Sequence, residues 1–94
     1  MSKMNLKKMI NNAKTDMAEI TGFPVNAVTG TVRNEETGFW TVEVELLERT
    51  GIPDTMDMLG IYEVSVDEAG AITEYVRKGL RKRGDKDITP IEEY

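Results

Sequence analysis

Near the start of the chain, Leu6, Ile10, Ala13, Met17 and Ile20 recur at steps of three and four, with Lys7, Lys8, Asn11, Asn12, Lys14 and Glu19 between them. That period puts the apolar set on one stripe of a helix and the polar set in solvent. It predicts an amphipathic helix over residues 3–21. Thr21, Gly22 and Pro24 close it, because Gly supplies a left-handed cap and Pro cannot continue the helical ladder.

After Pro24 the period falls to two. "VTGTVR" places Val28, Gly30 and Val32 on one face, and "FWTVEVELLE" places Trp40, Val42, Val44 and Leu46 on one face against Thr41, Glu43 and Glu45 on the other. The intervening "NEETG" begins with Asn and offers Gly38 for a left-handed turn residue, so the two strands read as a hairpin. "MLGIYEVSVD" repeats the alternation, with Tyr62, Val64 and Val66 opposite Glu63, Ser65 and Asp67, and "DEAG" turns the chain again. In the last run, "AITEYVRKGLRKR", Ile72 and Tyr75 have opposite parity, which calls for a bulge.

The pattern predicts a single α+β domain over residues 1–94. One N-terminal amphipathic helix packs on a four-stranded antiparallel β-meander spanning residues 26–83. The tail, residues 84–94, has no period and reads as a fraying end, with Ile88, Ile91 and Tyr94 as the side chains able to dock.

Composition narrows the function. Ninety-four residues support one core, and the chain has no cysteine and no histidine. The commonest general base, the commonest metal ligand and the thiolate nucleophile are therefore all missing, so a non-catalytic protein without a cofactor is expected. There is no apolar run of membrane-spanning length and no signal-like segment at the start, from which a cytoplasmic protein with no membrane partner is expected. The net charge of −5 argues against general affinity for nucleic acid. Yet the signs are separated: between Glu35 and Glu68 every charged residue except Arg49 is acidic, and in "RKGLRKR", Arg77 to Arg83, every one is basic.

Three constellations follow. Asp54 and Asp57 with Glu48 and Glu63 invite a metal reading, but their spacing does not fit an EF-hand. The preferred reading is that Asp54 caps a single helical turn after Pro53, with Asp57 facing its amides. Glu43, Glu45 and Glu63 would share an outer sheet face that is either simply solvated or a surface for a basic partner. On a strand, Arg77, Gly79, Arg81 and Arg83 share one face and Lys78, Leu80 and Lys82 the other. That fits a guarded edge or a protein contact better than nucleic-acid binding, since Tyr75 is the one aromatic nearby. Trp40 reads as a core anchor, and the methionines as pliable packing or, at Met56 and Met58, a partner surface.

The long connection "ERTGIPDTMDMLGIYEV" then reads as a built loop. Gly51 and Pro53 shape its bend, Asp54 and Asp57 settle its amides, and Arg49 is the nearby cation able to pair with them or with Glu48. Together the pattern predicts oppositely charged exterior patches free for docking through Glu43, Glu45, Arg49, Asp54, Asp57, Glu63, Arg77, Arg81 and Arg83.

Gly38, Trp40, "VEVELLE" with Glu45 and Glu48, "IPDTMDMLGIYEV" from Ile52 to Val64, Asp67, Gly70, Tyr75, Arg77, Arg83 and Gly84 follow an order that resembles the gas vesicle protein GvpO family. The resemblance covers about residues 20 to 84, and "IPDT" followed by "D.LG.YEV" is its most specific part. Two positions depart from the family pattern: Gly51 stands where a basic residue precedes the Ile-Pro, and Arg81 where many members have an aromatic. The resemblance implies an accessory protein for gas vesicle assembly, located with gas vesicles in the cytoplasm. Its implied partners are other gas vesicle proteins, both accessory and shell. A nucleic-acid-binding role in regulating gas vesicle genes, through the basic C-terminal strand, is the alternative it implies.

Overall fold

The computed structural model describes residues 5–86 and 88–90. Helix α1 runs Leu6–Thr21; residues 3 and 4 of the expected helix lie outside the described residues, as do Ile91 and Tyr94 of the tail. The Asn5 side chain accepts the Lys8 amide at 2.8 Å, which satisfies one of the unpaired donors of the first turn. At the other end Gly22 adopts φ 77° and its N–H donates to the Ala18 carbonyl. The buried seam is Met9, Ala13 and Met17, whereas Leu6 and Ile20, expected on the same stripe, stay 45% and 50% exposed. Long, flexible methionine side chains reach the sheet from the middle of the helix, and the two branched residues overhang its ends.

Five strands follow: β1 (Val25–Arg33), β2 (Trp40–Arg49), β3 (Met58–Val66), β4 (Ile72–Lys82) and β5 (Thr89–Pro90), with a 3₁₀ turn at Asp54–Met56 between β2 and β3. They form one sheet in the order β1-β2-β3-β4-β5, every neighbouring pair antiparallel. The turns are those the composition asks for. Asn34 accepts the amides of Glu36 and Thr37, Asp67 accepts those of Ala69 and Ala71, and Gly38 and Gly70 take positive φ.

Helix α1 lies over β1, β2 and β3. Met9, Ala13 and Met17 pack on Val42, Val44, Leu46, Tyr62, Val64 and Val66, with Phe23, Val28, Trp40 and Ile72 around them. The alternation of β2 and β3 thus delivers its apolar face to the helix as expected. In β4 the required bulges occur at two places, between the partners of Ser65 and Val66 and between those of Ile61 and Tyr62. In β1 a register shift between Val28 and Gly30 breaks the expected set of Val28, Gly30 and Val32. Thr31 comes opposite Val42 and Val32 opposite Thr41, leaving Val32 68% exposed.

The expected four-stranded meander is corrected to five strands. The added β5 pairs with β4 through Gly79–Pro90 and Leu80–Thr89. It has only two residues, too few for any periodicity, and depends on a missing side chain: a Cβ on Gly79 would stand 2.6 Å from Ile88 Cγ2 and 2.8 Å from the Thr89 carbonyl oxygen. The returning tail is also held by Arg81, as described below.

Candidate functional site

The loop end of the sheet, where β2 passes into β3 and β4 runs out into the tail, gathers most of the charged residues singled out in the sequence. The 3₁₀ turn is closed by backbone bonds from Met56 N–H to Pro53 and from Asp57 N–H to Asp54. The expected side-chain cap by Asp54 is not formed. Instead Asp57, 6% exposed, accepts the Gly51 amide at 2.7 Å and Arg83 Nε at 3.1 Å. The Arg83 and Gly84 amides donate to the carbonyls of Asp57 and Thr55. The loop is thereby tied across its base by one carboxylate and to the two residues that follow β4 by two backbone bonds. Its tip stays outside: Ile52 is 99% exposed and Met56 45%.

On the helix-side face, a register shift between Leu47 and Arg49 inserts Glu48 into the ladder, and its carboxylate lies over Gly60, where a Cβ would collide with it. Arg77 grips that carboxylate with two donors, Nη2 at 2.6 Å and Nε at 3.0 Å, and Tyr62 donates its hydroxyl at 2.6 Å. Burial alone would raise the Glu48 pKa. The hydrogen bonds from Arg77 and Tyr62, with the Arg77 charge, outweigh it and hold the group below its ordinary value of 4.5. Tyr62 is pushed up to about 12, first by burial and then by the neighbouring Glu48 carboxylate. The hydrogen bond to Glu48 raises Arg77 as well.

On the opposite face Glu45, 5% exposed, accepts Arg81 Nη2 at 2.9 Å and Nε at 3.2 Å and the Asn26 side-chain amide at 3.1 Å. Arg81 Nη1 also donates to the carbonyls of Lys82, Arg83 and Asp85, which pins the start of the tail. Arg83 Nη1 reaches Asn26 Oδ1 at 2.8 Å. Asn26 thus joins the Glu45–Arg81 and Asp57–Arg83 pairs into one network.

These contacts correct the expectation of free, oppositely charged patches. The acidic and basic stretches are far apart in sequence, but β2 and β4 both flank β3, and long arginine side chains cross from one to the other. Arg77, Arg81 and Arg83 are each paired inside the molecule, with Glu48, Glu45 and Asp57. Arg49, expected to supply that pairing, forms no ion pair among the described residues and is exposed. Asp54 is exposed too. Glu43 and Glu63 stand directly opposite each other on the face away from the helix, exposed, with the Thr29 hydroxyl on Glu43. Among the described residues no cluster of acids is placed to hold a metal ion, and no helix is long and apolar enough to cross a membrane. Sequence reasoning missed Asn26, Tyr62 and Lys82. Of these, Tyr62 had a usable signal, since a Tyr whose hydroxyl is carried into a core needs a polar partner.

Over residues 1–87 the chain matches the family described as gas vesicle synthesis protein GvpO. It is similar to gas vesicle protein O of Streptomyces sp. strain CB03234, 36% identical over 80 residues, which are 85% of this chain and 61% of that protein. It is 44% identical over 46 residues to gas vesicle protein O of Haloferax mediterranei, covering 49% of this chain and 33% of that one. To gas vesicle protein O1 of Halobacterium salinarum it is 41% identical over 46 residues, covering 49% and 39%. The aligned segments thus span less than two thirds of these relatives' lengths. No solved structure matches the chain.

Proposed function

The chain belongs to the gas vesicle synthesis protein GvpO family, and from that premise we propose that it serves gas vesicle assembly as a non-catalytic accessory protein that binds other gas vesicle proteins, accessory and shell. The observation that carries this reading is the loop between β2 and β3. It is braced from within by Asp57, Arg83 and Gly84, while Ile52 and Met56 project at its tip. An apolar tip on a loop already held in shape docks with little loss of conformational entropy. In this reading Arg49 and Asp54 line the contact, Glu43 and Glu63 offer a secondary acidic surface, and Glu45, Asp57, Arg77, Arg81 and Arg83 shape the scaffold.

Protein binding is preferred to nucleic-acid binding because the three arginines of the basic strand are already engaged by carboxylates, and phosphate contacts need cations that are free. The test is Ile52→Ser with Met56→Ser in a vesicle-forming host. Both changes lie on the surface, so circular dichroism and thermal midpoint stay as in the wild type, while vesicle yield and co-purification of gas vesicle proteins fall several-fold. Wild-type vesicles with unchanged co-purification remove the loop tip from the contact.

A further inference from the structure

Beside the loop tip lies a half-open depression lined by Arg49, Thr50, Gly51, Met56, Met58 and Lys82. Its floor is one cross-strand row: Arg49 on β2 faces Met58 on β3, and Met58 faces Lys82 on β4. Residues opposite one another in neighbouring strands share a face, so a cation stands on each side of a methionine. Neither cation has a carboxylate within ion-pair distance among the described residues, since Glu45, Glu48 and Asp57 are taken by Arg81, Arg77 and Arg83. The core cluster beneath α1 reaches Leu46 and Tyr62 and does not include Met58. Met56 forms the wall and is half exposed. Gly51 lets it close in, because a Cβ there would stand 2.7 Å from the Met56 backbone.

We infer that this depression is the docking site for an amphipathic helix of a partner protein, one that presents an apolar side chain between two carboxylates on successive turns. The inference rests on the assembly reading above and names its partner's chemistry. Charge complementarity selects the acids: Arg49 and Lys82 flank Met58 with no carboxylate paired to either among the described residues, and an acidic partner is drawn to that spot. The methionines select the apolar side chain between the acids, since pliable thioethers adapt to branched or aromatic groups. Spacing selects the helix. Adjacent strands lie about 4.8 Å apart, and one helical turn rises about 5.4 Å, so a helix laid along the row meets cation, methionine and cation turn by turn. Nucleic acid fits less well, for the lining offers two cations and no aromatic ring on which a base could stack.

A photo-crosslinking amino acid is introduced at Met56, and separately at Val76 on the opposite face of the sheet, in a vesicle-forming host, and the joined peptides are sequenced. The expected result is a crosslink from position 56 to a gas vesicle protein, at an apolar residue with carboxylates three or four positions before and after it. In Arg49→Glu with Lys82→Glu that crosslink falls at least tenfold at unchanged circular dichroism, and in Arg49→Lys with Lys82→Arg it persists. A crosslink from 56 to nucleic acid or lipid, to a segment without that acid–apolar–acid pattern, or one indifferent to the charge reversal overturns the inference. A crosslink to a gas vesicle protein from 76 but not from 56 overturns the inference and leaves the assembly reading standing. No crosslink to a gas vesicle protein from either position counts against both.

Discussion

Arg81→Ala probes the internal ion pairs most severely. The guanidinium is 18% exposed and the Glu45 carboxylate 7%, so the pair is largely withdrawn from water without being fully enclosed. Truncation leaves Glu45 with the Asn26 amide as its remaining side-chain partner and frees the carbonyls of Lys82, Arg83 and Asp85. Removing one partner of a buried pair costs about 3–5 kcal/mol, mostly as the penalty of the charge left behind. The residual exposure of Arg81 favours the lower end, about 3 kcal/mol. At 4–8 °C per kcal/mol for a domain of this size, the thermal midpoint should drop by roughly 12–24 °C. Urea unfolding followed by Trp40 fluorescence gives the free energy. The companion variant Glu45→Leu with Arg81→Leu separates the causes: two apolar side chains leave no orphan charge, so much of the loss should be recovered. A single-variant loss below about 1 kcal/mol would mean that the pair behaves as a surface ion pair, and the bracing of the loop end by buried charge would be refuted.

Three further outcomes follow. Glu48 lies below its ordinary pKa when folded, so its contribution is complete above about pH 4.5 and is lost as pH falls through the lower folded value. Tyr62, raised from 10 to about 12, contributes stability that is full below pH 10 and lost as pH climbs toward 12, with an upper bound of about 2.7 kcal/mol at 1.36 kcal/mol per pH unit. Unfolding free energies across both limbs should show these slopes, and Glu48→Gln and Tyr62→Phe should each flatten its own. Gly79→Ala should push Ile88 and Thr89 off β4, so that hydrogen exchange speeds at Thr89 while the amides of Val42, Val44 and Val64 keep their protection; unchanged exchange at Thr89 would mean that the glycine is not what admits β5.

Much of this fold could be read locally. The cap at Gly22, the left-handed turns at Gly38 and Gly70, and the apolar alternation of β2 and β3 each rest on a few adjacent residues, and each is present. What could not be read depends on register. One inserted residue in β1 sends Val32 to solvent, and the shift at the end of β2 carries Glu48 over Gly60 and under Arg77. Glu45 looked like a solvated strand position because its neighbours Glu43 and Thr41 are solvated. Arg81, thirty-six positions later, turns it into a buried pair, and no local pattern announces that. The charge separation along the chain was visible, but part of it is spent inside the molecule. Glu45, Glu48 and Asp57 pair with Arg81, Arg77 and Arg83, while Glu43 and Glu63 stay exposed. The candidate contact is smaller than the sequence implied, reduced to the loop tip and to Arg49 and Lys82, two cations beside the loop that the network leaves unpaired among the described residues.

Hydroxyl-radical footprinting of the chain, alone and co-purified with the gas vesicle proteins of its host, tests the docking claim most directly. Ile52 and Met56, open in the free chain, should be modified several-fold less in the complex, while Val32 and Val76 stay as reactive as before. Protection of Val32 or Val76 with Ile52 and Met56 unchanged would contradict the account.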